Sequence, residues 1–329
     1  MKKLFILTCI ILISIQLNAQ KEEIPKAENT SGIFNKIKFD KAHDLFNRMA
    51  YSGASKLFEE LEPSGYRLHD VIAYLGNCYY YLGNTEKAEY YLWQTVSLDS
   101  INPLFYYKYA QVLRSNKKYE ESDKWMIEYS KHTGKDQLQE NLKTPENSIR
   151  MAEHMGNFAI ENRKEINSPY SDFGAITLGG RIIFTSGRSK SLMIDNSYAW
   201  NDKPFLDLYQ FIPGEKQKNI QTYGNAINTR FHEGPAVINN NHSIIYFTRN
   251  SYIQGRRTNS AQGTTHLMLF TANAVNGKWT NIRELPFNNK EYSVGHPALS
   301  PDGKRLYFAS NMPGSLGGTD IFYVDITGP

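Results

Sequence analysis

The stretch Val71-Ile72-Ala73-Tyr74-Leu75-Gly76-Asn77-Cys78-Tyr79-Tyr80-Tyr81-Leu82-Gly83-Asn84, continuing Thr85-Glu86-Lys87-Ala88, decides how the front half of this chain is read. Its spacing predicts two antiparallel helices joined at Gly83-Asn84, because both residues tolerate a left-handed backbone. Outward from this stretch, Ala54, Ala88 and Ser122 recur at steps of 34 residues, as do Ala42, Gly76 and Ala110. Large residues keep the same step, in Leu45, Tyr79 and Leu113 and again in Phe58, Leu92 and Met126. The small residues are expected where paired helices touch, since larger ones would push the axes beyond ~8–10 Å. The large ones fill the gaps beside that contact. A single pair cannot bury its apolar face, so the pairs are expected to stack.

The middle unit, with its Leu-Gly, Tyr, Gly, Ala and aliphatic residue in order, resembles the tetratricopeptide-repeat (TPR) consensus. Flanking units at about 35–68 and 103–136 match more loosely, and Pro63-Ser64-Gly65 separates the first from the second. A capping helix is expected over Pro145–His154, with Pro145 at its first position. The resemblance implies a concave wall that holds peptides, formed by His43, Asn47, Asn77, Tyr80, Tyr81, Tyr107, Gln111 and Arg114. Asn77, Tyr80, Tyr81, Tyr107, Gln111 and Arg114 are the candidate partner-binding residues. Arg114 alone supplies positive charge for clamping a carboxylate.

Behind about Asn157 the composition shifts to Gly, Asn, Ser, Thr and alternating apolar residues, which reads as β-structure with turns. A second period appears there, marked by Phe184, Phe247 and Phe308 at steps of 63 and 61 residues. Ser300-Pro301-Asp302-Gly303 reads as a turn between two strands, with Pro presetting φ and Gly at the exit. Asn239-Asn240-Asn241 and Gly179-Gly180 take the same place in the earlier units. Asp320 stands where a short acceptor can tie down the loop before the last strand. The segments Ser-Pro-Asp-Gly, Tyr-Phe-Ala-Ser-Asn and Gly-Gly-Thr-Asp-Ile-Phe resemble TolB-type, WD-repeat-like propeller blades. Three such units do not close a ring, which takes ~4–8 blades. The expectation is a sequence or product that stops short of further blades, with edge-to-edge closure by a second copy as the alternative.

The expected class is therefore α+β and multidomain, an all-α TPR solenoid followed by an all-β incomplete propeller. The expected boundaries are a signal peptide at 1–19, a linker at 20–34, the helical domain at 35–156 and three blades at 157–329. Lys2 and Lys3, the apolar run Leu4–Leu17 and the small Ala19 form the signal peptide, too short to span a bilayer. This order of segments is similar to that of OmpA-family envelope proteins with TPR, propeller and peptidoglycan-binding domains, a kind that serves type IX secretion. The resemblance implies an exported, non-enzymatic scaffold in the periplasm, associated indirectly with the outer membrane, whose partners are envelope proteins. Peptidoglycan attachment would belong to a C-terminal domain that this sequence does not contain.

Of the two cysteines only Cys78 survives leader cleavage, so no internal disulfide is expected and Cys78 reads as a small buried hydrophobe. The formal charge of +4 includes Lys2 and Lys3, and no basic block supports nucleic-acid binding. No Gly-x-Ser-x-Gly elbow, zinc-protease His pair or phosphate loop occurs, so no catalytic residue, metal or cofactor is assigned. His232 and His296 both precede the proline region of a unit and read as structural. Arg256-Arg257 reads as an exposed loop end. Two other functions remain in view: a propeller that gates a hydrolase domain outside this sequence, and a propeller that binds a glycan or small ligand.

Overall fold

The computed structural model describes residues 27–98, 100–134, 159–188, 197–214, 220–224, 226–253 and 256–327. The chain divides into two compact units, Met1–Lys143 and Thr144–Pro329. The first is helical and the second is built of antiparallel sheets, as the α+β expectation requires. The leader at 1–19 and the capping helix expected over Pro145–His154 lie outside the described residues.

Among the described residues the first unit holds six helices: α1 (Ala27–Asn47), α2 (Tyr51–Leu61), α3 (Leu68–Leu82), α4 (Thr85–Val96), α5 (Leu104–Ser115) and α6 (Tyr119–Thr133). A short 3-10 turn at Glu62–Ser64 carries the Pro63 break. Helix α1 begins at Ala27, inside the stretch expected as linker. After Pro25 only Gly32 interrupts it, and one glycine costs just about 1 kcal/mol of helix. The α3–α4 turn forms as its sequence dictates. Gly83 takes φ 70°, Asn84 N–H bonds back to Tyr79 O at 3.0 Å, and Asn84 Oδ1 caps α4 by accepting from Lys87 N at 3.1 Å. Ala42, Ala54, Ala88 and Ala110 are wholly buried where the helices meet. Ser122, the odd member of its series, spends its hydroxyl on Ala110 O at 2.8 Å. Each helix has its main packing partners in the helices before and after it. Cys78 is buried and free, and burial pushes its thiol up to about 12.

Among the described residues the second unit holds three sheets of three or four strands and two short two-stranded ones. The first joins β1 (Asp172–Leu178), β2 (Arg181–Ser186), β5 (Asp207–Phe211) and β6 (Ile220–Thr222), with the two-stranded excursion β3 (Ser197–Tyr198) and β4 (Lys203–Pro204) between β2 and β5. The second joins β7 (Glu233–Ile238), β8 (Ile244–Asn250), β11 (Leu267–Val275) and β12 (Lys278–Glu284), with the excursion β9 (Tyr252–Ile253) and β10 (Arg256–Arg257). The third joins β13 (Val294–Leu299), β14 (Arg305–Ser310) and β15 (Asp320–Asp325). Phe184, Phe247 and Phe308 are all buried and hold the same place in the second strand of each sheet. The Ser300–Gly303 turn closes through Gly303 N to Ser300 O at 2.9 Å, with Gly303 at φ 69°. Asp320 opens β15 and accepts from the Leu316 and Gly317 amides, tying the loop as expected.

The sheets pack in series, the first strand of each lying on the face of the one before: β7 on β1, β2 and β5, and β13 on β7, β8 and β11. Two contacts recur at each joint. An asparagine on the tight turn ahead of the new sheet grips the third strand of the old one. Asn228 Oδ1 accepts from Leu208 N at 2.9 Å while its Nδ2 donates to Leu208 O at 2.9 Å. Asn288 does the same to Leu269, at 3.0 and 2.7 Å. A glycine of the new first strand then meets a threonine of the old second strand. A Cβ on Gly295 would come 3.0 Å from Thr248 Cγ2, and one on Gly234 would clash with Thr185 Oγ1. His296 N donates to Thr248 Oγ1 at 2.9 Å, whereas the matching residue ahead of Thr185 is Pro235, which has no N–H to give. Thr185 Oγ1 accordingly has no hydrogen-bond partner.

Buried acids stand at the start of the first two sheets. Asp172 accepts from Ser186 Oγ at 2.6 Å and from Arg188, whose guanidinium also reaches Ile166 O. Burial works to raise this carboxyl, but the Ser186, Arg188 and Ser168 donors outweigh it and hold it below its usual range. Glu233, wholly buried, accepts from Thr229 N and Oγ1 at 2.8 and 2.6 Å and lies 3.3 Å from Arg249 Nε. There burial prevails and pushes the carboxyl up to about 8. Val294 and Ser310 hold the matching places in the third sheet, with no charge at all.

Candidate functional site

Helices α3 and α5 bring most of the predicted wall together around a residue the sequence reading passed over. Lys108 on α5 is only 9 % exposed. Its ammonium donates to Asn77 Oδ1 at 2.5 Å and to the Tyr81 hydroxyl at 3.2 Å. It also lies 4.7 Å from the Tyr81 ring centroid and 5.5 Å from that of Tyr80. No carboxylate pairs with it among the described residues. A cation in this setting is held by amide, hydroxyl and ring faces, which leaves its charge uncompensated.

Tyr80 connects this cluster to a second feature. With Gln111, Tyr79, Gly83, Ala88 and Ser115 it lines a depression of about 220 Å³ between α3, α4 and α5. Burial, with Tyr107 and Tyr81 nearby, pushes the Tyr80 phenol up. Tyr107 packs against Tyr129 of α6 at 5.4 Å. Toward the front of the unit the rings continue: Tyr81 stacks on Tyr51 at 4.6 Å, and His43 meets Tyr74 edge-on at 5.3 Å. Asn47 lies 3.5 Å from the His43 ring nitrogen.

Arg114 departs from this group. Its guanidinium turns to Asp123 of α6 at 2.5 Å and to Ser122 at 3.4 Å, so it is already neutralised within its own hairpin. Asn77, Tyr80 and Tyr81 thus gather at Lys108, Gln111 joins them through Tyr80, and Arg114 is engaged elsewhere. The signal for Lys108 was present in the spacing: it stands 34 residues after Tyr74, an inward ring of the preceding unit.

In the sheets, His232 is held between Tyr198 and Phe205 at 4.5 and 4.7 Å, and its Nδ1 accepts from Leu206 N at 3.0 Å. Burial lowers its pKa to about 4, and its Nε2 has no partner. Arg256 and Arg257 are exposed, on β10. Among the described residues no group of three or more His, Cys, Asp or Glu side chains could hold a metal ion. No described helix is long and apolar enough to cross a membrane.

No protein-family model matches the chain, and no curated protein matches it. Solved structures match part of it. One is a puromycin-hydrolyzing peptidase of Mycobacterium tuberculosis, 13 % identical, with a TM-score of 0.32 over 48 % of this chain and 21 % of the peptidase. The chain thus spans about a fifth of that peptidase's length. A likeness this loose decides neither fold nor activity.

Proposed function

We propose that this chain is a non-enzymatic, exported scaffold whose helical unit is a TPR stack holding an extended, acidic segment of an envelope protein. The sheets are read as propeller blades that add further partner-binding faces. The single observation that carries the proposal is the buried, uncompensated Lys108 ammonium, flanked by Asn77, Tyr80 and Tyr81. An incoming carboxylate would supply the missing charge, and the aromatic rings would cover the apolar part of the segment. Tyrosine suits this task because it offers large apolar area with few rotors to immobilise. Outer-membrane association, through partners or a further domain, and a place in secretion or motility belong to the same proposal and rest on the order of segments in the sequence.

Fluorescence polarisation with unstructured acidic peptides tests it. Losing a charge-assisted contact costs about 1.5–3 kcal/mol, or about 10- to 150-fold in affinity. Lys108→Met should weaken acidic peptides by that factor and leave neutral ones unchanged. Equal binding of both peptide classes by wild type and variant would overturn the groove reading.

A further inference from the structure

Tyr109 directly follows Lys108 on α5, and one step along a helix turns a side chain by about 100°. Lys108 reaches Asn77 of α3, whereas Tyr109 closes a separate depression of about 370 Å³, lined by Glu86, Glu89, Tyr90 and Trp93 of α4. The Tyr109 ring is buried, only 4 % exposed, yet its hydroxyl has no hydrogen-bond partner among the described residues. Unlike Thr185 Oγ1, this unpaired oxygen is not sealed from solvent, so it opens into the depression. A polar atom so placed is available to a ligand.

Packing within the repeat does not ask for these residues. Leu75, 34 residues before Tyr109, is wholly buried and aliphatic. Lys56 and Glu59, 34 residues before Tyr90 and Trp93, are charged, the ordinary choice for a helix position that meets solvent. In α4 the same places hold two rings, Tyr90 at 56 % and Trp93 at 55 % exposure. Three residues apart, they share one face of the helix. Tyr91 meets Tyr90 edge-on at 5.0 Å, and Trp125 of α6 meets Tyr109 edge-on at 5.3 Å, so both phenols are held in place.

The depression is acidic. Glu86 has no hydrogen-bond or ion-pair partner among the described residues. Glu89 is fixed by Asn116 at 2.7 Å and shared with Lys118. Burial, then Glu89 and Glu121 of α6, push the Tyr109 phenol up to about 12, so it stays a neutral hydroxyl. Exposed rings, an unshared carboxylate and a free hydroxyl together suit a cation that carries N–H donors. A quaternary ammonium would leave the hydroxyl and the carboxylate without a hydrogen bond. A lysine ammonium is strongly hydrated and has no plane to lay on a ring. A guanidinium is weakly hydrated, stacks on aromatic faces and offers its donors as a rigid fork.

We propose that this depression takes an arginine side chain presented by a partner protein. The guanidinium lies on Trp93 beside Tyr90 and donates to the Glu86 carboxylate and the Tyr109 hydroxyl. Glu89, already shared with Lys118, holds the wall rigid and keeps the local field negative. Charge complementarity selects a basic segment here, the opposite of what the Lys108 ammonium selects. The two sites use different side chains, so this one does not rest on the acidic-segment reading.

The test uses the full chain with its four tryptophans replaced by fluorotryptophan. Trp93→Phe identifies the Trp93 fluorine resonance. Titration with an end-blocked Gly-Arg-Gly peptide should move that resonance saturably. The same peptide with citrulline, which keeps the shape of arginine and loses its charge, should not move it, and the lysine peptide should bind several-fold more weakly. Glu86→Gln, at an exposed position, should weaken the arginine peptide by about 10-fold, and Tyr109→Phe, which removes one oxygen from a buried ring, by about 2- to 10-fold. The absence of a saturable shift would overturn the proposal, as would an equal shift with the citrulline peptide. So would choline binding more tightly than the arginine peptide, or an arginine affinity indifferent to both substitutions.

Discussion

Gly76 of α3 faces Leu92 of α4 with no room for another atom: a Cβ there would lie 2.9 Å from Leu92 Cδ2 and 3.3 Å from Leu92 N. Leu92 is wholly buried and cannot swing aside. Two opposed effects meet in Gly76→Ala. Alanine gains about 1 kcal/mol of helix propensity, while overpacking costs about 1–3 kcal/mol. The backbone contact makes the second the larger, so the variant should be less stable by about 1 kcal/mol. Denaturant midpoints with an unchanged slope would measure it, and a stabilised variant would refute this reading of the hairpin contact.

The Glu233–Arg249 pair predicts a non-additive cycle. Arg249→Ser alone, measured above about pH 8 where Glu233 is ionised in the intact pair, removes the cation from a buried acid and should cost about 3–5 kcal/mol, less whatever Glu233 recovers by taking up a proton. Glu233→Val with Arg249→Ser installs the residues of the third sheet, Val294 and Ser310. The double variant should regain at least half of the loss. Urea melts of the four proteins in the cycle check this, and strict additivity would contradict it.

His232 predicts an acid-sensitive transition. Its pKa falls from an ordinary 6.5 to about 4 in the folded chain, so the unfolded state binds the extra proton between these values. Stability should be full above about pH 6.5 and drop by about 1–3 kcal/mol as pH falls toward 4. His232→Gln keeps an acceptor for Leu206 N and should flatten this part of the profile. Chemical denaturation at half-unit pH steps would show whether it does.

Cys78 predicts chemical silence. Its thiol is buried and its pKa is pushed up to about 12, so little thiolate exists at pH 8. A thiol reagent in excess should modify it only as fast as the helical unit opens. Labelling that is fast at zero denaturant would show that α3 is not packed as described.

Much of this architecture was legible in the sequence because packing constraints repeat. Ala54, Ala88 and Ser122 must be small wherever two helices cross, and Phe247 and Phe308 must be large where a sheet faces the one before it, a place that Phe184 fills against Ile166. The cluster around Lys108 was legible in part for the same reason, with Asn77, Tyr80 and Tyr81 at matching positions of the repeat. Lys108 was missed because a lysine is ordinarily a solvated charge, and only the Tyr74 register exposes it as an inward residue. Arg114 was misplaced because its partner Asp123 lies on another helix, and spacing within one helix does not report that pairing. The buried acids escaped notice because their cations stand at unlike positions: Arg249 lies directly across from Glu233, and Arg188 two residues beyond the mate of Asp172. The start of α1 at Ala27 was missed because weak helix formers give no pattern to read.

In both units each element rests chiefly on the ones just before and just after it in the chain. A protein wired this way can acquire structure in the order in which it is made or threaded through a pore. No early helix or sheet must wait, with sticky surface bared, for a distant segment to arrive. For a chain read as passing through a membrane before it settles, front-to-back assembly would keep the exposed length short at every moment of the journey.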